Sequence, residues 1–187
     1  MVLRDGIPAF TVEAVAEHAD VSKPSIYYYF DSKEALIREL VLGLAATERQ
    51  VAREALDRSP DGPEVLGGFM RAYVEHHLVS LDLFKVQYLW SQVLGFAVGD
   101  GDAEVNEGMV ALFDAMEARL RHEQEAGRLR PSANPRRLAV SAWMAAQGVV
   151  HTLALLHSGG AGLTHGAGAI VDELVAALTV GAFVGDP

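Results

Sequence analysis

The sequence predicts an all-α protein in two parts, an N-terminal helix-turn-helix unit followed by a larger helical domain, and two observations carry that prediction. Apolar residues recur at helical rather than alternating spacing along most of the chain. Leu and Ala dominate the apolar half of the composition, a residue choice that favours helix over strand. The chain has 187 residues, enough for a sizeable core, and a breaker cluster at 59–63 (Ser-Pro-Asp-Gly-Pro) marks its internal seam.

The stretch 11–39 is the most informative. Val12, Val15, Ala16 and Ala19 share one helical face behind Thr11, which suits an N-cap. Asp20 stands where the chain must turn, and Asp tolerates the left-handed conformation better than most residues. Ser22 is the natural cap of a second helix, Lys23 to about Phe30, with Pro24 in its first turn. Asp31 and Glu34 read as a capping-box start for a third helix running to about Arg58. Three consecutive tyrosines, Tyr27, Tyr28 and Tyr29, diverge by about 100° each on a helix and cannot all face one core. Ile26 and Phe30 already supply the buried face, so at least two of the tyrosines point outward.

The run V-A-x-x-A-x-V-S-x-x-x-I-Y-x-Y-F-x-S-K-x-x-L within this stretch resembles the DNA-binding segment of TetR-type transcriptional regulators. The resemblance implies base-edge contacts from Lys23, Ser25 and Tyr28, and phosphate contacts from Thr11, Tyr27 and Lys33. Tyr29 stands where many relatives have histidine. It further implies a domain 1–44 that binds DNA and a domain 45–187 that binds a ligand and dimerises. The function it implies is a ligand-responsive repressor, acting as a homodimer on a palindromic double-stranded operator and released by a small-molecule effector.

Beyond the third helix, the spacing predicts helices over 64–81, 82–95, about 105–126, 135–157 and 169–183. Asn134-Pro135 is a helix start, and Gly127 closes the helix before it. The helix at 135–157 is apolar on nearly all sides. Its Ala139, Ala142, Ala145, Ala146 and Gly148 suit close approach to a neighbour, so it reads as a core or interface helix rather than a membrane span. Phe69, Tyr73, His77, Phe84, Tyr88, Trp143, Gln147 and His151 combine aromatic surface with a few polar groups, the mixture a small-molecule pocket needs. The same mixture also serves an ordinary core.

Other function classes find little support. There is no cysteine, hence no disulfide framework or thiolate chemistry. No G-x-S-x-G elbow or P-loop pattern occurs, and His122-Glu123 is not followed by a second histidine at metalloprotease spacing. His76 and His77 are adjacent and diverge on a helix. The expectation is therefore no enzyme, no catalytic residue, no metal and no cofactor. No basic-then-apolar leader opens the sequence, which leaves a cytoplasmic protein without membrane attachment as the expectation.

Two features run against DNA binding. The net charge is −10, and residues 1–44 hold four basic against seven acidic residues, a local −3. Phosphate neutralisation supplies most non-specific affinity, so binding is expected to be weak on random DNA and strongly salt-dependent. The residues before Gly6 also amount to a single turn of the opening helix that the resemblance implies, and the rest of that helix is expected upstream of Met1. The alternative is a TetR-like ligand-binding or interaction module that has lost DNA binding.

Overall fold

The computed structural model describes residues 11–90, 103–160 and 164–184. Among them it is all-helical, save one antiparallel bridge between Leu129 and Phe183. The expected opening turn with Gly6, and the loop at 98–102, lie outside the described residues.

Helices α1 (Val12–His18), α2 (Lys23–Tyr29) and α3 (Lys33–Arg58) come first. Each start is chosen by a side chain that accepts from an otherwise orphaned backbone N–H. Thr11 Oγ1 accepts from Ala14 at 3.1 Å, Ser22 Oγ from Ser25 at 3.2 Å, and Ser32 Oγ from Ala35 at 3.0 Å. The third cap corrects the expected Asp31–Glu34 box. The helix begins at Lys33, so Ser32 holds the cap position and Asp31 lies one residue outside it. Asp20, at φ 54°, is the one non-glycine residue with positive φ among the described residues, and it makes the turn between α1 and α2. No residue of α2 is fully buried; Ile26 and Phe30 are half-buried.

After Gly62, at φ 81°, α4 spans Glu64–Leu78. Ser80 then caps the short α5 (Leu81–Phe84), which ends α4 sooner than its periodicity suggests. Over the described part of the expected single helix at 82–95 the chain forms α5 followed by a π-helical turn, Lys85–Trp90, and residues 91–95 lie outside the described residues. Bonding from i to i+5 widens the turn, so successive side chains diverge less than on an α-helix. Helices α6 (Ala103–Glu125), α7 (Pro135–Ser158) and α8 (Ala167–Thr179) complete the body. Asn134 caps α7, accepting from Arg137 at 2.9 Å. The last helix stops before the expected residue 183, because Gly181, at φ 79°, turns the chain and sends Phe183 back to pair with Leu129.

Helix α4 packs against α3, α7 and α8. Its Phe69, Met70 and Tyr73 share one core with Met116 and Leu120 of α6 and Val150 of α7, each at most 1% exposed. Ala139, Ala142 and Ala146 are fully buried, so small side chains are what seat α7 in this core. Among the described residues α7 is also the one helix long and apolar enough to cross a membrane. Its packing on α4, α6 and α8 gives that apolarity a role within the fold. One stripe of α7 stays exposed: Ser141, Met144, Gly148, Thr152 and Leu155.

An ion cluster around the buried Glu123 fixes the α3–α4 turn to the end of α6. Glu123 is fully buried and accepts from the Gly62 N–H at 2.8 Å, from Arg128 Nε at 2.6 Å and from Arg119. Asp61 accepts from the same two arginines. Burial alone pushes the Glu123 carboxyl up, but Arg128, the Gly62 N–H and Arg119 together hold it down at about 2.

Candidate functional site

The residues expected to touch DNA occupy α2 and the starts of the helices on either side. Tyr27, Tyr28 and Tyr29 are 44%, 82% and 76% exposed, so all three rings leave the core to Ile26 and Phe30. Tyr28 and Tyr29 pack edge to face at 5.0 Å. Lys23, the first residue of α2, donates to the Glu13 carboxylate of α1 and stands 5.8 Å from the Tyr27 ring centroid. The hydrogen bond to Glu13 raises the Lys23 ammonium pKa, and the Lys23 bond depresses that of the Glu13 carboxyl. Ser25 Oγ shares a hydrogen bond with Ser22 Oγ at 2.7 Å. The Thr11 hydroxyl accepts as a cap, and its own hydrogen remains to donate outward. Lys33 is half-buried in the first turn of α3. Chemically this is a tyrosine-rich surface bracketed by two lysines, with hydroxyls and an ammonium suited to phosphates and base edges.

The second candidate site lies at mid-length of α3, around a residue that the sequence reading did not single out. Glu48 is 3% exposed, and its carboxylate collects polar groups from two other segments, α4 and the π turn. It accepts from Gln87 Nε2 at 2.7 Å and from the Tyr88 hydroxyl at 2.7 and 2.8 Å, and His77 Nε2 lies 3.1 Å away. Tyr73 donates to Tyr88 at 3.4 Å. Gln87 and Tyr88 are adjacent in sequence and reach one carboxylate because the π turn reduces their divergence. Burial, and after it the Glu48 charge, push both tyrosine hydroxyls far above their ordinary range, so they remain donors. Burial, then the neighbouring His77, pushes His76 down.

Six of the eight expected pocket residues form a connected aromatic set around this carboxylate. Ring centroids lie 6.1 Å apart for Phe69–Tyr73, 4.8 Å for Tyr73–His77, 5.1 Å for His77–Phe84 and 4.8 Å for Phe84–Tyr88. His151 joins at 6.3 Å from Phe84. Trp143 and Gln147 lie elsewhere, with His151 in an open groove of about 540 Å³ between α6 and α7. His151 thus belongs to both places. No group of three or more His, Cys, Asp or Glu side chains with metal-binding geometry occurs among the described residues.

Glu48 and Gln87 were missed, and for Glu48 a signal existed. It falls on the buried stripe of α3, three residues after Ala45 and four before Ala52, where the helical period calls for an apolar side chain.

Residues 3–40 match the family model of bacterial regulatory proteins, tetR family. No curated protein matches the sequence. Among solved structures, the fatty acid degradation regulator FadR from Bacillus halodurans superposes with a TM-score of 0.73 at 17% identity, covering 95% of this chain and 88% of that one. The TetR family regulator PfmR from Thermus thermophilus gives 0.72 at 17%, covering 96% and 92%. FadR from Bacillus subtilis, solved in complex with stearoyl-CoA, gives 0.70 at 15%, covering 96% and 92%. At these identities the likeness establishes a shared fold.

Proposed function

We propose that this chain, a transcriptional regulator of TetR type, is a ligand-responsive repressor that binds a palindromic operator as a homodimer and leaves it when a small molecule occupies its larger domain. Residues 1–44 are the DNA-binding unit, with Lys23, Ser25 and Tyr28 at base edges and Thr11, Tyr27 and Lys33 at phosphates. Residues 45–187 bind the effector and dimerise. The observation that carries this reading is the double membership of α3. Its first turn holds Lys33 beside the exposed tyrosine surface, and its middle holds Glu48 inside the aromatic set. A ligand that favours one arrangement around Glu48 therefore acts on the helix that positions the reading surface. It weakens operator binding by its differential affinity for the two states.

Two further observations support the finer parts. The exposed stripe of small and apolar residues on α7 suits close packing against a second copy. The B. subtilis relative is known with stearoyl-CoA bound, which favours a small-molecule effector within the shared fold. The local charge of −3 and the engagement of Lys23 with Glu13 favour a second reading, a ligand-binding module that has lost DNA binding.

Selection from a random duplex library, followed by anisotropy titration of the enriched sequence, separates the two. The repressor reading expects a twofold-symmetric site with half-sites about one or more helical turns apart, bound by two chains. Enrichment of no sequence over random DNA favours the module.

A further inference from the structure

The seven residues of α2 carry little of the hydrogen-bonding equipment with which helices read bases. They include no Arg, Asn, Gln, Asp or Glu, the side chains that pair with guanine and adenine or accept from cytosine. One ammonium, that of Lys23, can serve guanine, and it is already in contact with Glu13. Ser25 shares its hydroxyl with Ser22 at 2.7 Å. What α2 offers in quantity is aromatic surface. Adjacent side chains on a helix diverge by about 100°, yet the Tyr28 and Tyr29 rings meet edge to face, with centroids 5.0 Å apart and an interplanar angle of 89°. Both residues lie in the open, at 82% and 76% exposure, so the core does not impose the pair. Tyr27 is engaged elsewhere, its ring centroid 5.8 Å from the Lys23 ammonium. Two rings at right angles restrict each other's rotation, and a tyrosine has few torsions to fix. The result is a set apolar surface at small entropic cost.

In the major groove a base pair shows donors, acceptors and one apolar group, the C5-methyl of thymine. On a helix that enters the groove, a fixed apolar surface has that methyl as its match. We infer that the Tyr28 ring reads thymine methyls in the operator half-site, and that Tyr29 is a positioning residue that holds the ring against them. This deepens the operator-binding reading above and rests on it.

The test uses the full chain and the duplex enriched by the selection above, with each thymine of the half-site replaced in turn, in both half-sites at once, by deoxyuridine. Uracil keeps every donor and acceptor of thymine and loses only the methyl. At the position read by Tyr28 the replacement should raise Kd about tenfold, roughly threefold for each of two methyls. In Tyr28→Ala the same replacement should cost nothing. Tyr28→Phe should keep the full uracil penalty, because the ring reads and the hydroxyl does not. Tyr29→Leu should shrink the penalty to about twofold, and Tyr29→Phe should restore it. That penalty is a ratio between two duplexes, which a general loss of affinity or stability does not move. Four results overturn the inference: a half-site without thymine, equal binding of every uracil duplex, a penalty that survives Tyr28→Ala, or one that vanishes in Tyr28→Phe. A full penalty in Tyr29→Leu overturns the role of Tyr29. Enrichment of no sequence at all fails the repressor reading and this one together, whereas an enriched site indifferent to uracil fails this one alone.

Discussion

Helices α2 and α4 differ in almost everything but being helices. Eight of the fifteen residues of α4 are buried, whereas α2 buries none completely and turns three tyrosines outward. A helix that gives its side chains to the core has none left for a partner, and one that keeps them exposed contributes little to the core. Stability is therefore expected to reside in the body and recognition in the N-terminal unit. The largest test of this division is a pair of truncations. Phe69→Ala should lower the unfolding free energy by about 3–5 kcal/mol, through lost burial and the cavity left behind. Tyr28→Ala, at 82% exposure, should stay within about 0.5 kcal/mol while weakening operator binding. Denaturant titrations of both variants decide it, and a comparable loss for Tyr28→Ala breaks the comparison.

The body also keeps charges, and at Glu123 one of them is buried and paired. Glu123 is held at about 2, below its ordinary value near 4.5, so its pairing stabilises the folded chain fully above pH 4.5. That contribution fades as the pH falls from about 4.5 towards 2, and it amounts to on the order of 3 kcal/mol. Denaturant midpoints measured across this window should fall less in Glu123→Gln than in the wild type. The variant itself should be destabilised at pH 7 by about 3 kcal/mol, because Arg119, Arg128 and the Gly62 N–H lose a charged acceptor.

Legibility follows the same division. The N-terminal unit could be read because its signals are local: Thr11 and Ser22 cap their own helices, and Asp20 takes its own left-handed turn. The error at Asp31 was one residue, since Ser32 competes for the same cap. The body could be read as helices, and its central feature could not. Glu48 meets Gln87 and Tyr88 across about forty residues of chain, through a π turn that no local pattern announces. Glu48 and Glu123 both sit on the apolar stripes of their helices, Glu123 three residues after Leu120. A carboxylate at an apolar position is a readable sign of burial, but its partners are set by tertiary packing.

Within the N-terminal unit, the two lysines should separate by role. Lys23→Ala should reduce the preference for operator over random duplex by about tenfold, because a base-edge contact is lost. Lys33→Ala should weaken both alike and flatten the log–log salt dependence by about 0.9, the share of one phosphate contact. Titrations on both duplexes at several salt concentrations measure both quantities. Equal effects from the two variants would remove the distinction between a reading lysine and a clamping one.

The smallest effect tests whether the exposed unit is as unencumbered as its accessibility suggests. Lys23 donates to Glu13, so any phosphate or base that takes the ammonium must share it with a carboxylate already in contact or displace that carboxylate. Glu13→Gln removes that competitor and one negative charge from a region of net −3. The pair is exposed and screened by salt, so the gain should be modest, about twofold to threefold in affinity for random duplex at low salt, vanishing near 1 M. The salt dependence should steepen by less than about 0.9, since a freed lysine releases at most one phosphate's counterion share. Operator binding need not rise in step. If Glu13 also holds Lys23 over the Tyr27 ring in the pose that meets a base edge, the variant gains on random DNA and loses preference for the operator. A fall in affinity on both duplexes would show instead that the carboxylate orients the lysine for every contact it makes, and that the exposed unit depends on internal ion pairing as the body does.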